Sequence, residues 1–87
     1  MGRNSILMIA EGLDVFELAV PDSLAGKSIG ESGIRSKTGC SVIATRRNGK
    51  IEVTLDPNQL LLPGSRLILV GTPESEKRFL EIFKVAD

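Results

Sequence analysis

The chain has 87 residues, 41% of them hydrophobic but only 3% aromatic, with no Trp, Tyr or His. A chain this short makes one domain at the small end of what a hydrophobic core alone can stabilise, so Ile, Leu and Val must build the core around Phe16, Phe79 and Phe83, and pairing would supplement it. Eleven basic and eleven acidic residues cancel, which argues against non-specific binding to a nucleic acid polymer or to an anionic membrane surface.

In chain order, residues 5 to 10 form an apolar run that periodicity assigns to neither helix nor strand, closed by Glu11 and Gly12. From Leu13 a strand is predicted, with Phe16, Leu18 and Val20 on one face and Val15, Glu17 and Ala19 on the other; Pro21 and Asp22 end it. Ser28 and Glu31 have capping-box spacing, which predicts a short helix over residues 28 to 38 that ends at a left-handed Gly39. Gly30 and Gly33 each lower its helix propensity by about 1 kcal/mol relative to Ala. That helix therefore needs contacts from outside itself, and its glycines admit a close neighbour.

A strand over residues 40 to 47 leads into Asn48-Gly49, a pair suited to a type I′ turn because both central residues there need positive φ. A two-residue turn pairs Arg47 with Lys50, Ala44 with Val53 and Val42 with Leu55. This register puts Val42, Ala44, Ile51, Val53 and Leu55 on one face and Ile43, Thr45, Glu52 and Thr54 on the other. Asp56-Pro57-Asn58 breaks the strand, Leu60, Leu61 and Leu62 make an apolar connection, and Pro63-Gly64 fits the centre of a type II turn. Residues 67 to 70 read as a central strand. Thr72 caps the last helix, with Pro73 and Glu74 in its first turn and Phe79, Leu80 and Phe83 as its packing stripe. The fold class is therefore α+β: about four strands in a mostly antiparallel sheet, a short helix after the first strand, and a C-terminal helix packed on the sheet. The chain shows no repeat, low-complexity segment or linker.

Catalysis finds little support. The commonest general base and metal ligand, His, is missing. Cys40 is alone, which excludes an internal disulfide and a paired-cysteine zinc site and suits a reducing compartment. Having no His to activate it, and standing after Gly39 at a strand start, it reads as a small structural hydrophobe. Asp14, Glu17, Asp22 and Asp56 lack the spacing of a calcium loop. Gly26-Lys27-Ser28 is not a phosphate-binding loop, because Pro21 stands where that motif requires glycine. No catalytic residue, metal site or resident cofactor is expected. The apolar runs fall short of the roughly 20 residues that span a bilayer, and the first residues lack a signal-peptide pattern. A cytoplasmic location is expected.

Residues 27 to 50 hold Lys27, Arg35, Lys37, Arg46, Arg47 and Lys50 against the single acid Glu31, a local excess of five positive charges. A solvated basic face would account for them. Alternatively, Arg35 binds a phosphate bidentately, with Ser41 and nearby backbone amides adding donors where the chain reverses at Gly39.

The segments Gly26-Lys27-Ser28-Ile29-Gly30-Glu31, Gly39 to Arg47, Pro63-Gly64-Ser65 and Gly71-Thr72-Pro73-Glu74 follow one another as in the TrkA-C, or RCK-C, family, and the chain resembles that family over roughly residues 13 to 83. The resemblance implies an α+β unit that pairs about a two-fold axis as a homodimer, with an interfacial cleft for small anionic regulatory ligands such as cyclic di-AMP. In dinucleotide-binding members the contacts fall at positions matching Ile29, Ile34, Arg35, Cys40, Ser41 and Val42. The two phosphates of a symmetric dinucleotide would meet one Arg35 from each copy. The resemblance also implies that residues 13-87 are the ligand-sensing domain and residues 1-12 a connecting segment from an upstream nucleotide-binding domain. The parent would be a membrane-embedded potassium channel or transporter, with this domain on its cytosolic side. Alternatives are a dimerisation module without ligand and the regulatory domain of a cation/proton antiporter or dicarboxylate transporter.

Overall fold

The chain is organised by one antiparallel sheet with helices on a single face. The computed structural model describes residues 5–53 and 56–83, with residues 5–10 as backbone. Its elements are β1 (Ser5–Ala10), β2 (Leu13–Ala19), α1 (Ile29–Ser32), α2 (Ile34–Thr38), β3 (Ser41–Arg47), β4 (Lys50–Val53), β5 (Arg66–Gly71) and α3 (Pro73–Ile82). The strands lie in the order β1-β2-β5-β3-β4, every pair antiparallel. The apolar β5 is central, as its unbroken hydrophobic run predicts. The α+β class, the antiparallel sheet and the C-terminal helix agree with the sequence. The segment that periodicity left open becomes a fifth strand, its partners running from Ser5↔Glu17 to Ala10↔Leu13.

The face bearing Phe16 and Leu18 of β2 and Leu67 and Leu69 of β5 is the core face. Ile34 of α2, Phe79 of α3, and Leu24, Cys40, Leu61 and Phe83 complete this core. The Phe16 ring meets Phe79 edge-on at 6.3 Å, and Phe79 lies 4.9 Å from Phe83, a favourable arrangement for ring quadrupoles. Leu80 is partly buried beside them, so the expected stripe of α3 does pack on the sheet. Thr72 caps α3 by accepting from the Ser75 amide at 3.1 Å. Gly64 takes a φ of 83° in the turn before β5, as the Pro63-Gly64 pair predicts.

Asn48 and Gly49 both have positive φ, 52° and 79°, and β3 pairs with β4 in the expected register, Arg47↔Lys50 and Ala44↔Val53. The pairing of Val42 with Leu55 and the placement of Thr54 lie outside the described residues. Two expectations are corrected. Val42 and Ala44 do not share a face. Between them the β3–β5 register shifts, with Val42 opposite Leu69 and Ala44 opposite Ile68. Leu69 and Ile68 point to opposite sides of β5, so the extra residue Ile43 is a bulge that carries Val42 to the core face and Ala44 to the other.

The second correction is that residues 28 to 38 form two short helices, not one. Gly33, at φ 68°, ends α1 and begins α2, a left-handed conformation that a residue with a Cβ adopts at a cost. The Ser32 hydroxyl accepts from the Ile34 amide at 3.2 Å, giving an otherwise orphaned donor of α2 a partner. The cap itself is as the spacing predicts. The Ser28 Oγ accepts from the Glu31 amide, and the Glu31 carboxylate accepts from the Ser28 amide, both at 3.1 Å.

Candidate functional site

Three segments distant in sequence converge beside the bulged part of β3. The first is α1 and α2. The second is the turn through Gly39 into β3, held by Thr38: its hydroxyl donates to the Ile34 carbonyl at 2.6 Å and accepts from the Cys40 amide at 3.0 Å. The third is the chain after β4, tied to α1 by backbone hydrogen bonds from Gly30 to Pro57 at 2.8 Å and from Ile29 to Gln59 at 2.9 Å. A Cβ on Gly30 would stand 3.3 Å from the Pro57 carbonyl oxygen, so this glycine does admit a close neighbour. Continuing the tie, Gly26 donates to the Leu61 carbonyl and Leu61 to that of Lys27.

Between these segments lies an open cleft of about 500 Å³. All six residues singled out from the resemblance line it: Ile29, Ile34, Arg35, Cys40, Ser41 and Val42. Ile34 and Cys40 are buried, Ile29, Ser41 and Val42 are half-buried, and Arg35 is exposed. Arg35 has no ion-pair partner among the described residues, so its guanidinium stays available at the rim. Sequence reasoning missed Gly30, Gly33, Ser36, Asp56 and Pro57 as lining residues. Asp56 and Pro57 had read as a strand breaker, and nothing local in the sequence brings them to α1.

The wall combines apolar side chains with the Arg35 cation, the Ser36 and Ser41 hydroxyls and the Asp56 carboxylate. The Asp56 carboxylate accepts from the Asn58 amide at 2.9 Å, which fixes the turn. Burial pushes the Cys40 thiol above its ordinary range, so it stays protonated and serves as packing, not as a nucleophile. Among the described residues no group of three or more His, Cys, Asp or Glu side chains could hold a metal ion. The arrangement suits a ligand with an anionic group for Arg35 and a flat apolar body for Ile29, Ile34 and Val42.

Comparison with known proteins gives the site its context. The family model of the TrkA-C domain matches residues 15–84. The Ktr system potassium uptake protein A of Bacillus subtilis (strain 168) is 27% identical over 71 residues, which cover 82% of this chain and 32% of that protein. The chain therefore spans about a third of that curated relative's length. Among solved structures, the GsuK RCK domain superposes with a TM-score of 0.81 at 33% identity, covering 99% of this chain and 19% of that one. The RCK C domain of the potassium transport protein KtrA, in complex with cyclic diadenosine monophosphate, gives a TM-score of 0.75 at 30% identity, covering 85% of this chain and 87% of that one. With the family model covering most of its length and these likenesses in fold, the chain belongs to the TrkA-C domain family.

Proposed function

We propose that this domain is a ligand-sensing regulatory module of a potassium channel or transporter, binding a small anionic ligand, foremost cyclic di-AMP, in the cleft beside Arg35 at an interface between two copies. The observation that carries this reading is that the six candidate residues gather in one open cleft with a free guanidinium at its rim. A module that only dimerised would have no use for an open cleft with polar groups at its wall. The similarity to KtrA, whose C domain is seen with this dinucleotide, supports the choice of ligand, and the likeness to a potassium uptake protein supports the parent. Regulatory ligand binding, without catalysis, fits a wall whose thiol is protonated and which has no His.

Within this reading, residues 13 to 87 are the sensor and residues 1 to 12 lead in from an upstream domain, with residues 5–10 adding the edge strand β1 to the sensor's sheet, on the cytosolic side of the transport protein. Among the described residues no helix is long and apolar enough to cross a membrane. Gating then works by differential affinity: a ligand that binds one arrangement of the two copies better than another shifts the population towards it.

Calorimetric titration of wild type and Arg35→Ala with cyclic di-AMP tests the proposal. A charge-assisted hydrogen bond is worth about 1.5–3 kcal/mol, so the variant should bind roughly ten- to a hundredfold more weakly with unchanged thermal stability, since Arg35 is exposed. No binding by wild type rejects this ligand, and equal affinity in the variant rejects this site.

A further inference from the structure

The second face of the sheet has no part in the core, and of the residues lining the cleft it carries only Ser41, at its end. α2 and α3 lie on the Phe16 face, and among the described residues no element covers the other. By register, that open face carries Val15 of β2, Ile68 and Val70 of β5, Ser41 and Ala44 of β3, and Ile51 and Val53 of β4. Ile51 and Val53 are 53% and 66% exposed, whereas Ala44 is 6% exposed. Ala44 therefore forms the floor of a trough along β3, with Ile68 and Val70 rising on one side and Ile51 and Val53 on the other. Singly exposed apolar residues are ordinary, but an apolar face that runs from the central strand β5 across β3 to the edge strand β4 marks an interaction surface.

One end of this trough is charged. Arg46 lies opposite Arg66 across β3 and β5, and both guanidiniums share the single carboxylate of Glu17, with Nε–Oε2 distances of 2.8 and 3.0 Å. Two cations on one anion leave one positive charge unbalanced, and both arginine side chains stay about one-third exposed. Their remaining N–H groups can donate to a second carboxylate above the sheet.

We propose that this open face seats an amphipathic helix from outside these 87 residues, apolar on the side that lies along β3 and acidic where it meets Arg46 and Arg66. The acidic end complements the unbalanced guanidinium, and the apolar side covers Val15, Ile68, Val70, Ile51 and Val53.

The probe is a synthetic amphipathic peptide of about 18 residues, long enough to fold on the surface, with Leu and Ala on one side and Glu in the last turn. A control peptide carries Lys in place of those Glu residues. Each is titrated into the isotope-labelled chain and followed by amide chemical shifts. Saturable shifts at Val15, Ala44, Ile51, Val53, Ile68 and Val70 are expected, weakened about tenfold by Arg46→Ala, by Val53→Asp or by the Lys peptide. Absence of saturable shifts, shifts confined to the Arg35 cleft, or equal binding of both peptides overturns the proposal. So does sedimentation showing that Val53→Asp alone converts a dimer to a monomer, because a second copy of this chain would then occupy the face.

Discussion

Two glutamates are shifted in opposite directions and give the domain opposing pH dependences. Burial alone would raise the Glu17 carboxyl, but the hydrogen bonds and charges of Arg46, then of Arg66, outweigh it and hold the group below its ordinary range. Its contribution to stability is therefore present above the unfolded-state value and lost as pH falls through the lower folded-state value. Glu76 is buried in α3, and no hydrogen bond or ion pair satisfies its side chain among the described residues. Burial first and the Asp14 carboxylate second push it above its ordinary range. In that case the unfolded chain releases its proton first, so stability falls as pH rises from the unfolded-state value through the raised folded-state one. Thermal denaturation across pH should show Glu76→Gln more stable than wild type at neutral pH by a few degrees, with the gap closing under acid. Glu17→Gln should be less stable at neutral pH, because it leaves Arg46 and Arg66 without a counter-charge. Parallel pH profiles for wild type and both variants would contradict these assignments.

Elements whose signals are local were legible in the sequence, and those decided by pairing were not. The cap at Ser28, the turn at Asn48-Gly49, the Pro63-Gly64 turn and the start of α3 each depend on residues within four positions of one another. The bulge at Ile43 depends on how β3 meets β5, more than 20 residues away in the chain, and alternation within one hairpin carries no trace of it. Gly33 lies between these cases: its glycine was visible, but two glycines in a helical pattern do not say which one turns left-handed. A Cβ on Gly33 would approach the flexible end of Lys37 at 3.2 Å, so space is not the obstacle. The obstacle is a φ of 68°, which costs an L-residue about 1–2 kcal/mol. Gly33→Ala should therefore lower the melting temperature by roughly 4–8 °C per kcal/mol in a domain of this size. Because the cleft straddles this break, the variant should also weaken ligand binding. Unchanged stability would show that α1 and α2 merge into one helix without penalty.

For the whole molecule, the sequence foretold one sheet covered by a terminal helix, yet could not anticipate that Asp56 and Pro57 line the cleft, since their approach to α1 is set by long-range backbone hydrogen bonds. One copy supplies one Arg35 and an open cleft, whereas a two-fold-symmetric dinucleotide presents two phosphates. Two copies facing each other across the ligand would satisfy both phosphates and enclose the bases, so the ligand should bind the pair better than the single chain. Linkage then requires that ligand strengthen association, since anything that binds only the paired state stabilises it by mass action. Analytical ultracentrifugation at micromolar concentration should show a mass twice that of the chain, and added cyclic di-AMP should move the monomer–dimer midpoint to lower protein concentration. Calorimetry should give one ligand per two chains. Saturation at one ligand per chain, with association unchanged by ligand, would place the site wholly within a single copy and leave Arg35 of the second copy without a role.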